Sequence, residues 1–313
     1  MGLDAFRTQS LKSWRENVAA WLRQPVAGRL TAGWVAALYI TGAILSIAPF
    51  AISQSYELDQ GLSDVLVPIY SLLATIIVLF AGWMSLKSSR KVGIGWLVIG
   101  SGLFLNTIGE STWSILTWLG QDPFPSLADV FYLSSYPTML AGILLLPFER
   151  RSGMERLTKF MEITIISVSA SLILWNYLLG PIIQQTEEIS TLEMVFTLAY
   201  PLVDMLLLLA LLALVFRTSE KMRVRPLAFL GMGISVLIFA DVLFSWQELH
   251  AGYQPGGIAD TGYMFSSIFW GLAGVCQYHS LSEPKPWQSS RKAQRLATLT
   301  RLSLFIRASL PPI

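Results

Sequence analysis

Five carboxylates, Glu110, Asp129, Asp204, Asp241 and Asp260, stand inside or at the ends of long apolar runs. Aromatic side chains flank them at helical spacing. Glu110 shares a helix side with Trp113, Ser114 and Trp118, Asp129 with Tyr132 and Tyr136, and Asp260 with Tyr263 and Ser267. Tyr200 shares a side with Asp204, beside Pro201. A charge at the bilayer centre costs about 2.5 to 3.5 kcal/mol on insertion scales, so such acids normally face the interior of a bundle. Acids mixed with Trp and Tyr suit a cationic or amphipathic ligand, held by charge pairing and by attraction of a cation to the ring faces. All but Asp204 fall near the outer ends of their runs. There they are placed to line one outward-opening cavity with Trp113, Tyr132, Trp246 and Tyr263.

Each residue also has a plainer use. Asp129 and Asp260 stand where helices begin, and a carboxylate there caps free N–H groups and meets the favourable end of the dipole. Capping is the favoured role for these two. Glu110 and Asp241 lie toward C-terminal ends, where the dipole opposes an acid, which favours a binding or pairing role. Asp204 is the deepest and the least explained by capping. Trp and Tyr at this depth also form the usual interfacial belt. His250 and His279 are expected at opposite membrane faces as surface side chains, too far apart to share a haem or a zinc. Glu162 and Asn176 in the fifth run are expected to make interhelical hydrogen bonds.

Other chemistry lacks its residues. The chain carries no phosphate-binding loop, nucleophile elbow, metalloprotease helix or Cys/His metal spacing, and a single Cys276 excludes a disulfide within one chain. No cofactor and no catalytic activity are expected. The net charge of +2 gives no reason to invoke nucleic acid.

The stretch Gly109 to Pro137 has a counterpart 131 positions later, without a gap. Gly100, Gly102, Ser114, Ala128, Asp129, Tyr132 and Ser135 fall on Gly231, Gly233, Ser245, Ala259, Asp260, Tyr263 and Ser266; Glu110 falls on Asp241 and Trp113 on Phe244. Small, acidic and aromatic positions matching together at one offset point to a duplicated helical hairpin.

The elements that must carry these residues follow from composition. The 313 residues are 53% hydrophobic and 13% charged, with a mean hydropathy of +0.55, whereas soluble domains carry about 25% charge. That is an all-α polytopic membrane bundle, with length for about eight transmembrane helices. Apolar runs occupy approximately 30–52, 64–86, 92–119, 127–147, 160–183, 192–216, 226–249 and 257–279. Lys and Arg collect in alternate connections: Lys87, Arg90 and Lys91; Arg150, Arg151, Arg156 and Lys159; Arg217, Lys221, Arg223 and Arg225; and Lys285 onward. The intervening connections hold none, so the positive-inside rule puts both termini in the cytoplasm (N-in, C-in).

Residues 1–29, with five Arg or Lys and Leu11, Trp14, Val18, Trp21 and Leu22 at helical spacing, read as a cytoplasmic amphipathic segment on the lipid surface. They lack the apolar core of a cleavable signal peptide. The eight-span domain covers 30–283. Residues 284–313 are basic with an apolar finish, too short for a full span, and their ending on Leu-Pro-Pro-Ile suggests a larger architecture continuing from here.

The ordered motifs PFPSLADVFYLSSYP, AYPLVDMLLLLALL, ADVLFSW and GYQPGGIADTGY resemble a multipass membrane input module of bacterial signalling proteins. The resemblance covers roughly 90–285. Such modules precede cytoplasmic GGDEF diguanylate cyclase, EAL phosphodiesterase or histidine kinase domains, none of which occurs in these 313 residues. It implies a sensory membrane protein of the bacterial inner membrane, working with a cytoplasmic signalling output protein or as a homo-oligomer. A small transporter or channel, or an accessory subunit of a membrane complex, is the alternative that the repeat and Asp204 keep open.

Overall fold

The computed structural model describes residues 25–27, 30–31, 56–147, isolated positions between 154 and 176, 191–217, 224–250 and 256–282. The amphipathic segment before Pro25, most of the first and fifth apolar runs, and residues 284–313 lie outside the described residues. A short antiparallel pair, β1 (Pro25–Ala27) and β2 (Leu30–Thr31), stands where the sequence predicts one helical segment passing into the next. Pro25 lacks the amide hydrogen a helix interior uses.

The other described elements are helices. Six long helices follow: α1 (Tyr56–Leu86), α2 (Arg90–Trp118), α3 (Leu127–Leu145), α4 (Thr191–Arg217), α5 (Val224–His250) and α6 (Ile258–Ser282). They coincide with six of the eight apolar runs. In hydrocarbon every backbone group must bond within its own segment, which a long apolar run achieves as a helix. Four stretches are long and apolar enough to cross a membrane: Ser63–Leu86, Arg90–Trp118, Leu127–Leu145 and Val224–Gln247. In α6 the polar side chains Asp260, Ser266, Ser267, Gln277 and His279 are all buried, turned inward rather than to lipid. The lipid-side surface is supplied by side chains such as Ile76, Phe80, Trp83, Phe104 and Phe239, which stay exposed.

The helices close a ring. Each packs on its neighbour in sequence, from α1 through α6, and α6 returns to α1. The α1–α6 seam runs parallel: Ser63 Oγ bonds Asp260 near the start of both helices, and Gln277 Nε2 bonds Ser85 Oγ near their ends. The α2–α3 and α5–α6 seams are antiparallel and depend on glycine. A Cβ on Gly102 would stand 3.0 Å from the Ser135 carbonyl, and one on Gly233 3.1 Å from the Ser266 carbonyl, tighter than ordinary contact. These small residues are close helix contacts, as their place inside apolar helices indicates.

The α2–α3 turn is set by local chemistry. Gly120 adopts a left-handed φ of 67°, Gln121 N–H bonds the Leu116 carbonyl and Gly120 N–H bonds the Thr117 carbonyl, a Schellman ending. Ser126 then opens α3 with a capping box: its Oγ accepts from Ala128 N–H while Asp129 Oδ2 accepts from Ser126 N–H at 2.7 Å. These two ends hold Glu110 opposite Tyr132.

One half of the ring is filled. Trp96, Ile99, Leu103, Met139, Leu207, Leu230, Ile234 and Trp270 form a fully buried core from five of the helices. The other half is not filled.

Candidate functional site

That half holds a cavity of about 700 Å³, its open mouth included, lined by all six helices. From α1 come Ser63, Asp64 and Val67; from α2 Asn106, Glu110, Trp113 and Ser114; from α3 Tyr132 and Tyr136. Tyr200 reaches it from α4, Leu237, Asp241, Phe244 and Ser245 from α5, and Asp260 and Tyr263 from α6. Among the described residues, four carboxylates line it and no Lys, Arg or His does.

Tyrosine hydroxyls hold the acids. Tyr132 donates to Glu110 Oε2 at 3.0 Å, and Tyr263 donates to Asp241 Oδ1 at 3.0 Å, each across a separation of 22 residues. The two bonds lie 131 positions apart in sequence. Tyr136 reaches from α3 to α5 and donates to Asp241 Oδ2 at 2.8 Å. Glu110 Oε1 has a long contact of 3.4 Å from Asn106 Nδ2, one turn earlier on the same helix. Asn106 Nδ2 also contacts Ser71 Oγ at 3.4 Å, and Ser71 in turn bonds Thr107 at 2.9 Å, so a polar seam runs from the cavity into the α1–α2 interface.

Asp260 Oδ2 accepts from Ser63 Oγ at 2.6 Å and from Gly256 N–H at 2.7 Å. It therefore closes its own helix N-terminus and lines the cavity as well. Asp129 does only the first: fully buried, it completes the Ser126 capping box and takes the Tyr200 hydroxyl on Oδ1, but it does not line the cavity. Asp204 lies one layer behind the wall, 2% exposed, with its carboxyl close to that of Asp241. Asp204 Oδ1 is buried without a hydrogen-bond partner.

Of the nine expected site residues, Glu110, Trp113, Tyr132, Asp241, Asp260 and Tyr263 meet at the cavity. Asp129 and Asp204 back it. Trp246 does not join them: it is half exposed and turned to the outside. It follows Asp241 by five residues, well over a quarter turn off the inward face, whereas Phe244 at three residues points in. One further expectation is corrected: His279 is buried rather than on the surface, edge-on to the Tyr278 ring at 6.0 Å. His250 has no described side chain.

Sequence reasoning missed Asp64, Asn106, Tyr200 and Phe244 as wall residues. Asn106 carried a legible signal, four residues before Glu110 on the same helix face. Phe244 carried another, as the counterpart of Trp113. Asp64 carried none, because only closure of the ring brings the start of α1 beside α6.

What the arrangement can do follows from its parts. It offers fixed carboxyl oxygens, oriented by phenol donors, beside aromatic rings in a largely apolar space. Among the described residues no group of three or more His, Cys, Asp and Glu is arranged to hold a metal ion. No protein-family model matches the chain, and neither a curated protein nor a solved structure does.

Proposed function

We propose that this chain is a ligand-binding, signal-input module of a bacterial inner membrane, with no catalysis of its own, and that its cavity takes a small organic cation. The observation that carries this is the cavity wall: Asp64, Glu110, Asp241 and Asp260 beside Trp113, Phe244 and four tyrosines, with no basic side chain among the described lining residues. Acids in a membrane interior are costly unless compensated, and a cation supplies that compensation while its apolar part meets the rings.

The finer architecture belongs to the same proposal: eight spans, both termini cytoplasmic, and a duplicated unit with its two copies face to face in the ring. Supporting the duplication are four wall positions that pair at the 131-residue offset: Glu110 with Asp241, Trp113 with Phe244, Ser114 with Ser245, and Tyr132 with Tyr263. Supporting the input role is the resemblance of the ordered motifs to input modules. Its output would lie in a cytoplasmic signalling protein or a second copy of the chain.

The test is thermal unfolding of the full chain in detergent with butylamine and tetramethylammonium, against butanol and butyrate as neutral and anionic controls. The cations should raise Tm and the controls should not. The rise should shrink in Glu110→Gln and vanish in the double variant with Asp241→Asn. A cation shift that survives the double variant overturns the assignment. One observation, the deeply buried Asp204, favours transport as a second reading. Uptake of radiolabelled butylamine into proteoliposomes would establish transport, and binding without uptake would support the input role.

A further inference from the structure

Two acid–phenol units face the same cavity. Glu110 with Tyr132 comes from α2 and α3, Asp241 with Tyr263 from α5 and α6, and both bonds measure 3.0 Å. Three residues beyond each acid, Trp113 and Phe244 meet edge to face, with centroids 6.2 Å apart. The cavity thus has a carboxyl–phenol corner on each of two helix pairs and an aromatic pair on the same wall.

We infer that the ligand is a linear dication, a diamine with an ammonium group at each end and a hydrocarbon chain between them. The inference rests on the cationic reading of the cavity and specifies its ligand class. A monocation occupies one of the two acid–phenol units and leaves the other without a cation, in a wall whose described residues include no basic side chain. Two ammonium groups satisfy both units, and the methylene chain lies against Trp113 and Phe244.

The hydrogen-bond inventory has room for this. A carboxylate offers about four lone-pair sites and an ammonium three donors. Glu110 Oε1 holds only the 3.4 Å contact from Asn106 beyond the Tyr132 bond on Oε2, so it retains acceptor capacity toward the cavity. Asp241 takes one phenol on each oxygen and has Asp204 behind it, which leaves lone pairs on its cavity side.

The experiment is isothermal titration of the full chain in lipid nanodiscs with putrescine and cadaverine, and with butylamine as the single-ended probe. The better diamine should bind on the order of a hundredfold tighter than butylamine, because its second ammonium binds intramolecularly. Glu110→Gln and Asp241→Asn should each reduce diamine affinity to the butylamine level while butylamine still binds at the remaining unit. A diamine that binds no more tightly than butylamine, or a single variant that abolishes butylamine binding too, overturns the dication and leaves a one-cation site standing. If none of the three amines binds, the cationic reading falls with it. The wild-type ratio of diamine to monoamine affinity needs no variant, so the proposal stays testable if a variant fails to fold.

Discussion

Trp113 on α2 and Phe244 on α5 meet edge to face at a centroid distance of 6.2 Å and an interplanar angle of 78°. They stand 131 residues apart in sequence, on helices that are not neighbours in the ring. Both line the cavity, so the pair bridges the ring at that level.

A double-mutant cycle measures that contact. Trp113→Leu and Phe244→Leu should show a coupling of about 0.5 to 1.5 kcal/mol beyond lost area, read from reversible unfolding of the purified chain. Additive single effects would mean that the two aromatics meet without stabilising the bundle.

Glycine substitutions separate close approach from simple helix propensity. A Cβ on Gly102 would press on the Ser135 carbonyl and the Met139 amide at 3.0 Å, both backbone atoms that cannot swing aside. Gly102→Ala should cost about 1 to 3 kcal/mol, the usual range for overpacking. At Gly61, in the first turns of α1, an added methyl group would meet nothing within 4 Å, so Gly61→Ala should gain up to about 1 kcal/mol. Equal effects at the two sites would contradict the close α2–α3 seam.

The charge alternation predicts accessibility. Cysteines introduced at Gln121 or Gln185 should react with an impermeant thiol reagent in intact cells, and cysteines at Ser88 or Thr218 only after permeabilisation. Gln121 closely follows α2, and Ser88 sits in the α1–α2 turn, where Ser88 N–H bonds the Ser85 carbonyl. The reverse labelling pattern would overturn the orientation with both ends inside.

How far the chain was legible depended on what each feature needs. Helix existence needs only a long apolar run, and six runs reappear as helices. The inward face of a helix needs only periodicity, which brought Glu110, Trp113, Tyr132 and Asp241 together. Trp246 departs from expectation because its helical phase, not its membership of a polar outer turn, decides where it points. The bond from Tyr136 to Asp241 was out of reach: it crosses from α3 to α5 and exists only because α4 brings those helices into one ring. The parallel α1–α6 seam was equally silent, since parallel neighbours leave no short turn between them. Asp64 acquires its role only through that seam.

Two acids one hairpin turn apart should behave oppositely when neutralised. Asp129 is fully buried, bonds Ser126 N–H at 2.7 Å and receives the Tyr200 hydroxyl, so its carboxylate holds α3 and α4 in place. Glu110 lies toward the C-terminal end of α2, where the helix dipole opposes an acid by roughly 0.3 to 1 kcal/mol, and it faces the cavity. Asp129→Asn should therefore lower stability by at least the ~0.5 to 2 kcal/mol typical of a lost cap, with the butylamine-induced rise in Tm unchanged. Ser126→Ala should act the same way, because it removes the reciprocal half of the capping box. Glu110→Gln relieves the dipole and keeps an acceptor for Tyr132, so its stability should stay near wild type while the butylamine shift falls. The comparison is one set of melting curves for the wild type and these three variants, with and without amine. If Asp129→Asn loses the shift and Glu110→Gln keeps it, the binding wall has been drawn through the wrong acid.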